Sequence, residues 1–548
     1  MFQSQEFDFN SHRSPVIGRR GMVAASQPLA VAAGLEVLTQ GGNAADAAVA
    51  TAAALNVTEP TSTGIGGDCF ALFFDASNRQ VSALNGSGRA PAALTLERLH
   101  KEGFKDEIDP YHPYNVTVPG ACAGWCDLVG LHGLLPMSTV LAPAIRLADE
   151  GFPVAPLTAY FWDRGARRQL SQALGGRELT IDGRAPRPGE IFRNPGLAKT
   201  LRRVAGGGKD AFYKGEIAEA IAEAVQKSGG CLSVEDLATH QSTWEQPIHT
   251  TYRDLNIWEC PPNGQGLAAL LGLNLLEGYE LAEMAPLSSE RLHLEIEAMR
   301  LAFADTRWYV SDPFFNQIPV AELLSKAYAA ERRKLLDPNR AVLDQKYGTP
   351  VSSSDTVYLS VVDGDGNACS FINSNYMGFG TGIVPSGWGF SLQNRGHNFS
   401  LDPAHPNALA PGKRPYHTII PAMATRLDGS LFASFGVMGG FMQPQGHLQV
   451  VIGLADDHLD PQSALNRPRF CIADGEAGGQ VALESGISAE VVSRLAQMGH
   501  AVVPVSGYER AVFGRGQIIF RTEEEPSGSG AVLWGGSDPR ADGCAMSL

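Results

Sequence analysis

Residues 356–376 constrain the fold of this chain more than any other stretch. A polar, turn-prone run, Ser352-Ser353-Ser354-Asp355, gives way to the β-branched and apolar run that starts at Thr356. Asp363-Gly364-Asp365-Gly366-Asn367 is a hairpin turn signal. Ala368–Tyr376 then returns as a second strand-like run. A hairpin of this length sets Ser374 on the strand beside the one that begins at Thr356. A threonine hydroxyl is a weak nucleophile by itself. If the peptide bond before Thr356 is cut, the new α-amine, with a reference pKa of about 7.7–8, stands within one residue of the hydroxyl as its base. Taken alone, Asp355-Thr356 reads as the plain start of a strand, and it is the context that follows which reverses that reading.

The rest of the chain divides around this point. Residues 28–39 have helical periodicity with Pro28 in the first turn. Gly41-Gly42 stop that helix, and Asn43 caps a second one over Ala44–Val57, built from small residues. Ala71–Phe74 and Val81–Asn85 read as paired strands. From about 95 to 335 the pattern is mostly helical, with helices expected over Ser138–Glu150, Gly215–Ser228, Gly266–Leu276 and Ser289–Trp308. Residues 336–355 lose periodicity and carry Pro, Gly and Ser, as a cleavable junction requires. Beyond Thr356, strands are expected at 356–363, 368–374, 431–437, 480–484 and 516–521, with helices near 443–456 and 488–498.

Composition narrows the function classes. The chain has 548 residues, 44% of them hydrophobic and 18% charged, which is globular. A net charge of −15 argues against a broad nucleic-acid or anionic-membrane surface. No apolar run reaches the length that spans a bilayer. The N-terminal Met-Phe-Gln-Ser-Gln-Glu lacks the basic and apolar regions of a secretory signal, so a cytoplasmic location is expected. Eight cysteines in so long a chain are not a disulfide framework. Cys122 and Cys126 share a helix face without a second ligand pair at zinc spacing, so neither a metal nor another cofactor is expected.

With these landmarks the sequence resembles the γ-glutamyltranspeptidase family of N-terminal-nucleophile hydrolases. The resemblance runs from Gly21–Pro28, through Gly41–Ala47, Glu59-Pro60, Gly64–Asp68, Val118-Pro119-Gly120, Lys413-Arg414-Pro415 and Gly439-Gly440, to Asp538–Gly543. It implies an α+β fold, a four-layer αββα sandwich shared by two cleavage products. These would be a large subunit, 1–355, and a small subunit, 356–548, made by autocleavage between Asp355 and Thr356. It implies Thr356 as the nucleophile, Ser374 as a second hydroxyl beside it, and Gly439 and Gly440 as the oxyanion hole. The expected partners are a small-molecule amide and the chain's own other fragment, with further homodimer association left open.

The departures from the family pattern concern the substrate. The arginine that holds a donor's α-carboxylate in transpeptidases falls at Ser87 here, and Arg89 stands two residues away, a candidate either to reach the same carboxylate or to serve as a structural ion-pair partner. The acidic residue that fixes the donor's α-ammonium is Asn398, before Phe399-Ser400. A family glutamine becomes Arg395, an asparagine becomes Tyr376, and a serine pair becomes His417-Thr418. A pocket that lacks the carboxylate and gains Arg395, with His417 as a further gain, suits an acyl group with a free carboxylate and no α-amine, glutaryl- or oxamate-like. The alternatives are a γ-glutamyl hydrolase or transferase with a rearranged donor pocket, acting on glutathione-like donors, and a non-catalytic single-chain binding relative. The short connection Ser400–Gly412 suggests an open pocket that tolerates a bulky leaving group. His447 reads as a helix-start or packing histidine.

Overall fold

The computed structural model describes residues 13–344, 356–476, 478–522 and 530–548. Two seven-stranded sheets carry the fold. Their strands, in chain order, are β1 (Val16–Gly18), β2 (Gly21–Ala25), β3 (Asp68–Asp75), β4 (Gln80–Gly86), β5 (Thr243–Glu245), β6 (Ile248–Tyr252), β7 (Leu255–Glu259), β8 (Val357–Asp363), β9 (Ala368–Ser374), β10 (Ala422–Arg426), β11 (Leu431–Met438), β12 (Arg515–Arg521), β13 (Leu533–Ser537) and β14 (Cys544–Ser547). One sheet has the order β1-β13-β12-β11-β10-β7-β6, and the other β14-β2-β8-β9-β3-β4-β5. All pairings within both sheets are antiparallel.

Strand alternation builds the layers. In β8, Val357, Leu359 and Val361 face one helical layer, while Tyr358 and Val362 point to the other sheet. Met22, Phe70, Leu72 and Ile372 meet Met423 and Ile519 between the sheets. Helices α1 (Pro28–Thr39) and α2 (Ala44–Thr58) cover the sheet that holds β8. Helices α3 (Pro156–Gly165), α4 (Gly266–Leu276), α5 (Ser289–Tyr309) and α6 (Met442–Ala455) follow along the chain. Of these, α4, α5 and α6 cover the outer face of the other sheet. The result is the expected αββα sandwich.

Small residues set the closeness of the helical layer. Every residue of α2 is buried. A Cβ added at Gly34 of α1 would lie 2.3 Å from Thr51 Oγ1 of α2, so the two helices cross at glycine distance. Asn43 caps α2 with a reciprocal capping box through Asp46. The β8–β9 turn docks on the same end, where Asp363 Oδ2 accepts the Ala44 N–H at 3.0 Å. The β8–β9 hairpin is thereby fixed against a helix that is buried along its whole length.

The stretch 95–335 is mostly helical, as expected, and it also supplies β5, β6 and β7, the last two an edge hairpin of the sheet that lacks β8. The strand expected at 480–484 forms, but in a separate three-stranded sheet with Phe470–Ile472 and Val502–Val505. All eight cysteines are free thiols. No helix among the described residues is long and apolar enough to cross a membrane.

Candidate active site

The β8–β9 register decides which hydroxyls meet. Val357 pairs with Asn373, so Thr356 and Ser374 stand side by side at the end of the hairpin. Thr356 Oγ1 and Ser374 Oγ are 3.1 Å apart, and both side chains are fully buried. Asp355, the other half of the expected scissile bond, lies outside the described residues. Ser374 Oγ accepts hydrogen bonds from the Tyr376 backbone N–H at 2.8 Å and from Arg395 Nη2 at 3.3 Å. An oxygen accepting from two donors offers its own proton outward, which suits it to orient Thr356.

Tyr376 is held in a left-handed conformation, φ +80°, which is uncommon for a bulky residue. Its hydroxyl donates to Asn398 Oδ1 at 2.6 Å, and the Arg395 guanidinium lies 4.3 Å from its ring centroid. Asn398 spends its amide nitrogen on the Tyr416 carbonyl at 3.0 Å. Asn398 therefore ties the pocket wall together at the position where the family's pattern has an acid.

Arg395 is the only cation in contact with this pair of hydroxyls among the described residues. It is wholly buried, donating from Nη1 to Thr418 Oγ1 at 2.7 Å and from Nη2 to Ser374. Its Nε has no hydrogen-bond partner, and no carboxylate among the described residues lies within ion-pair distance. Burial pushes its pKa down to about 10, with Asp68 and Tyr376 opposing, so it stays protonated at neutral pH. A buried guanidinium without a counter-carboxylate is costly unless a ligand supplies one.

The carboxylate that sequence reading missed is Asp68. It starts β3, directly opposite Ser374 in the ladder. Its Oδ1 accepts from the Gly88 and Gly120 N–H groups and from Gln393 Nε2, at 3.0, 3.1 and 3.0 Å. Its Oδ2 accepts from His417 Nε2 at 3.0 Å. Four donors use this carboxylate up. His417 is buried and neutral: desolvation first, and Arg395 second, push its pKa down to about 3 against the pull of Asp68. Its Nδ1 faces the Ile419 N–H at 3.4 Å, so the ring works as an internal brace. The Gly64–Asp68 landmark was visible in the sequence; its pairing with Ser374 was not.

Gly439 and Gly440 have φ values of +134° and +60°, between the end of β11 and the start of α6. The backbone thus turns at a helix N-terminus, where N–H groups and the helix dipole favour negative charge. Gln265, also unanticipated, clamps this turn. Its Nε2 donates to Thr418 O at 2.6 Å and to Gly440 O at 2.8 Å, while its Oε1 accepts from the Tyr416 hydroxyl at 3.1 Å.

Arg89 stands apart from this set. It pairs with Asp312 at 3.3 Å and donates to the Gly412 carbonyl at 3.1 Å, with its side chain 34% exposed. Asp312 also accepts the Arg414 N–H, so the pair fastens the 412–414 turn. His447 packs inside α6 with its Nδ1 2.7 Å from Glu259 Oε1.

Two cavities border the site. One, of about 880 Å³, is lined by Asn398, Phe399, Tyr416 and the 400–407 loop. The other, of about 590 Å³, is lined by Met377, Gly378, Gly439 and Phe441. Among the described residues no group of three His, Cys, Asp or Glu side chains is placed to hold a metal ion.

Comparison with known proteins gives a consistent set of matches. The sequence model of the Gamma-glutamyltranspeptidase family matches residues 30–548. A Glutathione hydrolase-like YwrD proenzyme of Bacillus subtilis (strain 168) is 36% identical, over 97% of this chain and 99% of that one. An Acylase ACY 1 proenzyme of Pseudomonas sp. (strain SE83) is 34% identical, over 99% of this chain and 96% of that one. The crystal structure of a cephalosporin acylase from Bacillus halodurans superimposes with a TM-score of 0.91 and 46% identity, covering 100% of this chain and 99% of that one.

Proposed function

The chain belongs to the γ-glutamyltranspeptidase family, as an N-terminal-nucleophile amidohydrolase/acyltransferase, and from that premise we propose that Thr356 is its nucleophile and a carboxylate-bearing acyl amide without an α-amine, of the glutaryl type, its substrate. In the precursor, Thr356 Oγ1 attacks the Asp355 carbonyl. The C–N bond breaks as the C–O ester bond forms, and water then cleaves the ester to give fragments 1–355 and 356–548. In the mature form the free α-amine takes the Oγ1 proton as the oxygen attacks the substrate carbonyl. Backbone N–H groups at Gly439-Gly440 stabilise the oxyanion. The ammonium returns its proton to the leaving amine, and water, activated by the same amine, frees the acid from the acyl-threonine.

The observation that carries the substrate reading is Arg395, a buried cation one hydroxyl away from Thr356 with an unsatisfied Nε. A substrate carboxylate supplies the missing counter-charge. An α-ammonium would meet Arg395 and the amide of Asn398, while Asp68 is already saturated. Two of the relatives above are acylases by name, which supports amide cleavage at this site. The test is a pair of amides with the same leaving group, glutaryl and γ-glutamyl, assayed on processed protein. The glutaryl amide is expected to have the higher kcat/KM, and a clear preference for the γ-glutamyl amide rejects the reading.

A further inference from the structure

The second cavity beside the glycine turn has a wall that acyl recognition leaves unused. Helix α3 runs into a π-helical turn, Ala166–Leu170, closed by the Ser171 N–H to the Ala166 carbonyl at 3.0 Å. Such turns are rare and concentrate at functional sites. Its Gln169 is buried and donates from Nε2 to the carbonyls of Met377 and Gly380, at 2.7 and 2.6 Å. That bond pair fixes the turn to the loop that follows Tyr376. The same turn sets Arg168 on the cavity wall, one helical repeat beyond Arg164, with Phe161 beside them.

The charge arrangement is selective. Arg167 points away and pairs with Asp163 at 2.6 Å. Arg164 and Arg168 have no carboxylate within ion-pair distance among the described residues, although like charges at this spacing on a helix repel. Arg164 rests against the Tyr160 ring at 5.9 Å, and Tyr160 in turn stacks on Tyr508 at 4.4 Å. Glu509 is the one acid on the wall among the described residues, so the cavity keeps a positive excess in a chain of net charge −15.

Geometry assigns the direction. A substrate carbonyl held at Gly439-Gly440 has two substituents. On the proposed reading, the acyl chain goes to Arg395, on the side of Asn398 and the first cavity. The amine then faces the second cavity, which Gly439 itself borders. We propose that this cavity is the leaving-group subsite and takes an amine that carries a carboxylate, recognised by Arg164 and Arg168, with Phe161 offering an apolar face to its body. The inference rests on the acyl-transfer reading above and adds the chemistry of the other half of the substrate.

Four amides test it: glutaryl and γ-glutamyl derivatives, each of 4-nitroaniline and of 5-amino-2-nitrobenzoate. The carboxylated leaving amine is expected to raise kcat/KM about tenfold or more over the neutral one, the range of a charge-assisted contact. That ratio should fall toward one in Arg164→Ala and Arg168→Ala, survive in part in Arg168→Lys, and stay unchanged in Arg167→Ala. A ratio near one in the parent enzyme, or one that neither alanine variant moves, overturns the subsite. Glutaryl amides cleaved without regard to the leaving group sink the subsite alone. A leaving-group preference seen with γ-glutamyl donors as the better substrates sinks the acyl reading alone. Calorimetric binding of 5-amino-2-nitrobenzoate against 4-nitroaniline reads the same site without turnover. Tighter binding of the carboxylated amine, weakened in Arg168→Ala, supports the subsite, and equal binding overturns it.

Discussion

Arg395 Nη2 donates to Ser374 Oγ at 3.3 Å, and that oxygen lies 3.1 Å from Thr356 Oγ1. The proposed nucleophile and the buried cation are therefore separated by a single hydroxyl. On the proposed function, charge recognition and bond-breaking share one hydrogen-bond chain, so a change at either end is felt at the other.

Replacing Thr356 with alanine should leave one full-length band on a denaturing gel and no amidase activity. Thr356→Ser keeps a hydroxyl and an amine at the same place. It should process slowly and retain activity reduced roughly tenfold to a hundredfold. Fully active protein with an unbroken chain by intact mass would falsify the catalyst described here.

Removing the Arg395 charge as Arg395→Met should lower kcat/KM for a glutaryl amide by about a hundredfold, the scale of a lost charge-assisted contact in a desolvated site. The complementary change, Asn398→Asp, places an acid beside Tyr376. The γ-glutamyl to glutaryl ratio of kcat/KM should rise about tenfold. A ratio that stays fixed in both variants places substrate recognition elsewhere.

Gln265 holds the carbonyls of Thr418 and Gly440 together. Gln265→Leu removes that donor from both; Gly440 O keeps the Gln443 N–H, so the cost of about 1–3 kcal/mol for a buried acceptor left unsatisfied falls on Thr418 O. The melting temperature should drop, and, if the Gly439-Gly440 turn is the oxyanion hole as proposed, kcat should fall more than KM changes because that turn loosens. Unaltered kcat in a destabilised protein limits Gln265 to a structural part.

His417 predicts an acid limb of stability. Burial and Arg395 push its pKa down to about 3, whereas an unfolded histidine titrates near about 6.5. Between those values the unfolded chain binds a proton that the folded chain refuses. Stability is therefore lost as pH falls from about 6.5 toward 3, by up to about 1.4 kcal/mol per unit for this group. His240, His447 and His500, each pushed down to about 3, act in the same direction. Urea midpoints measured across this window should show a slope shallower by about one proton in His417→Gln, and an unchanged slope removes His417 from the acid limb.

Much of this was legible in the sequence because local signals agreed with the fold. Pro28–Thr39, Gly266–Leu276 and the β8–β9 hairpin follow the periodicity and turn residues that announce them. β6 and β7 were lost because each is five residues long and sits between longer helical stretches. Thr356, Ser374 and Arg395 were nameable from the pattern. What Asp68 and Gln265 do was not, since it depends on a strand register and a clamp across 153 and 175 residues. The same holds for Arg89, whose partner Asp312 is 223 positions away.

A break before Thr356 falls at the entrance to β8, which lies between β2 on one side and β9 on the other. The second sheet likewise has β6 and β7 from before the break alongside β10, and β1 alongside β13 from after it. Strands from the two pieces are interleaved in both sheets, like the fingers of clasped hands. Pulling the pieces apart would unzip both ladders and open the core. A protein nicked there would thus remain one cooperative body, and neither half would be a module that could be traded for another copy without first unfolding.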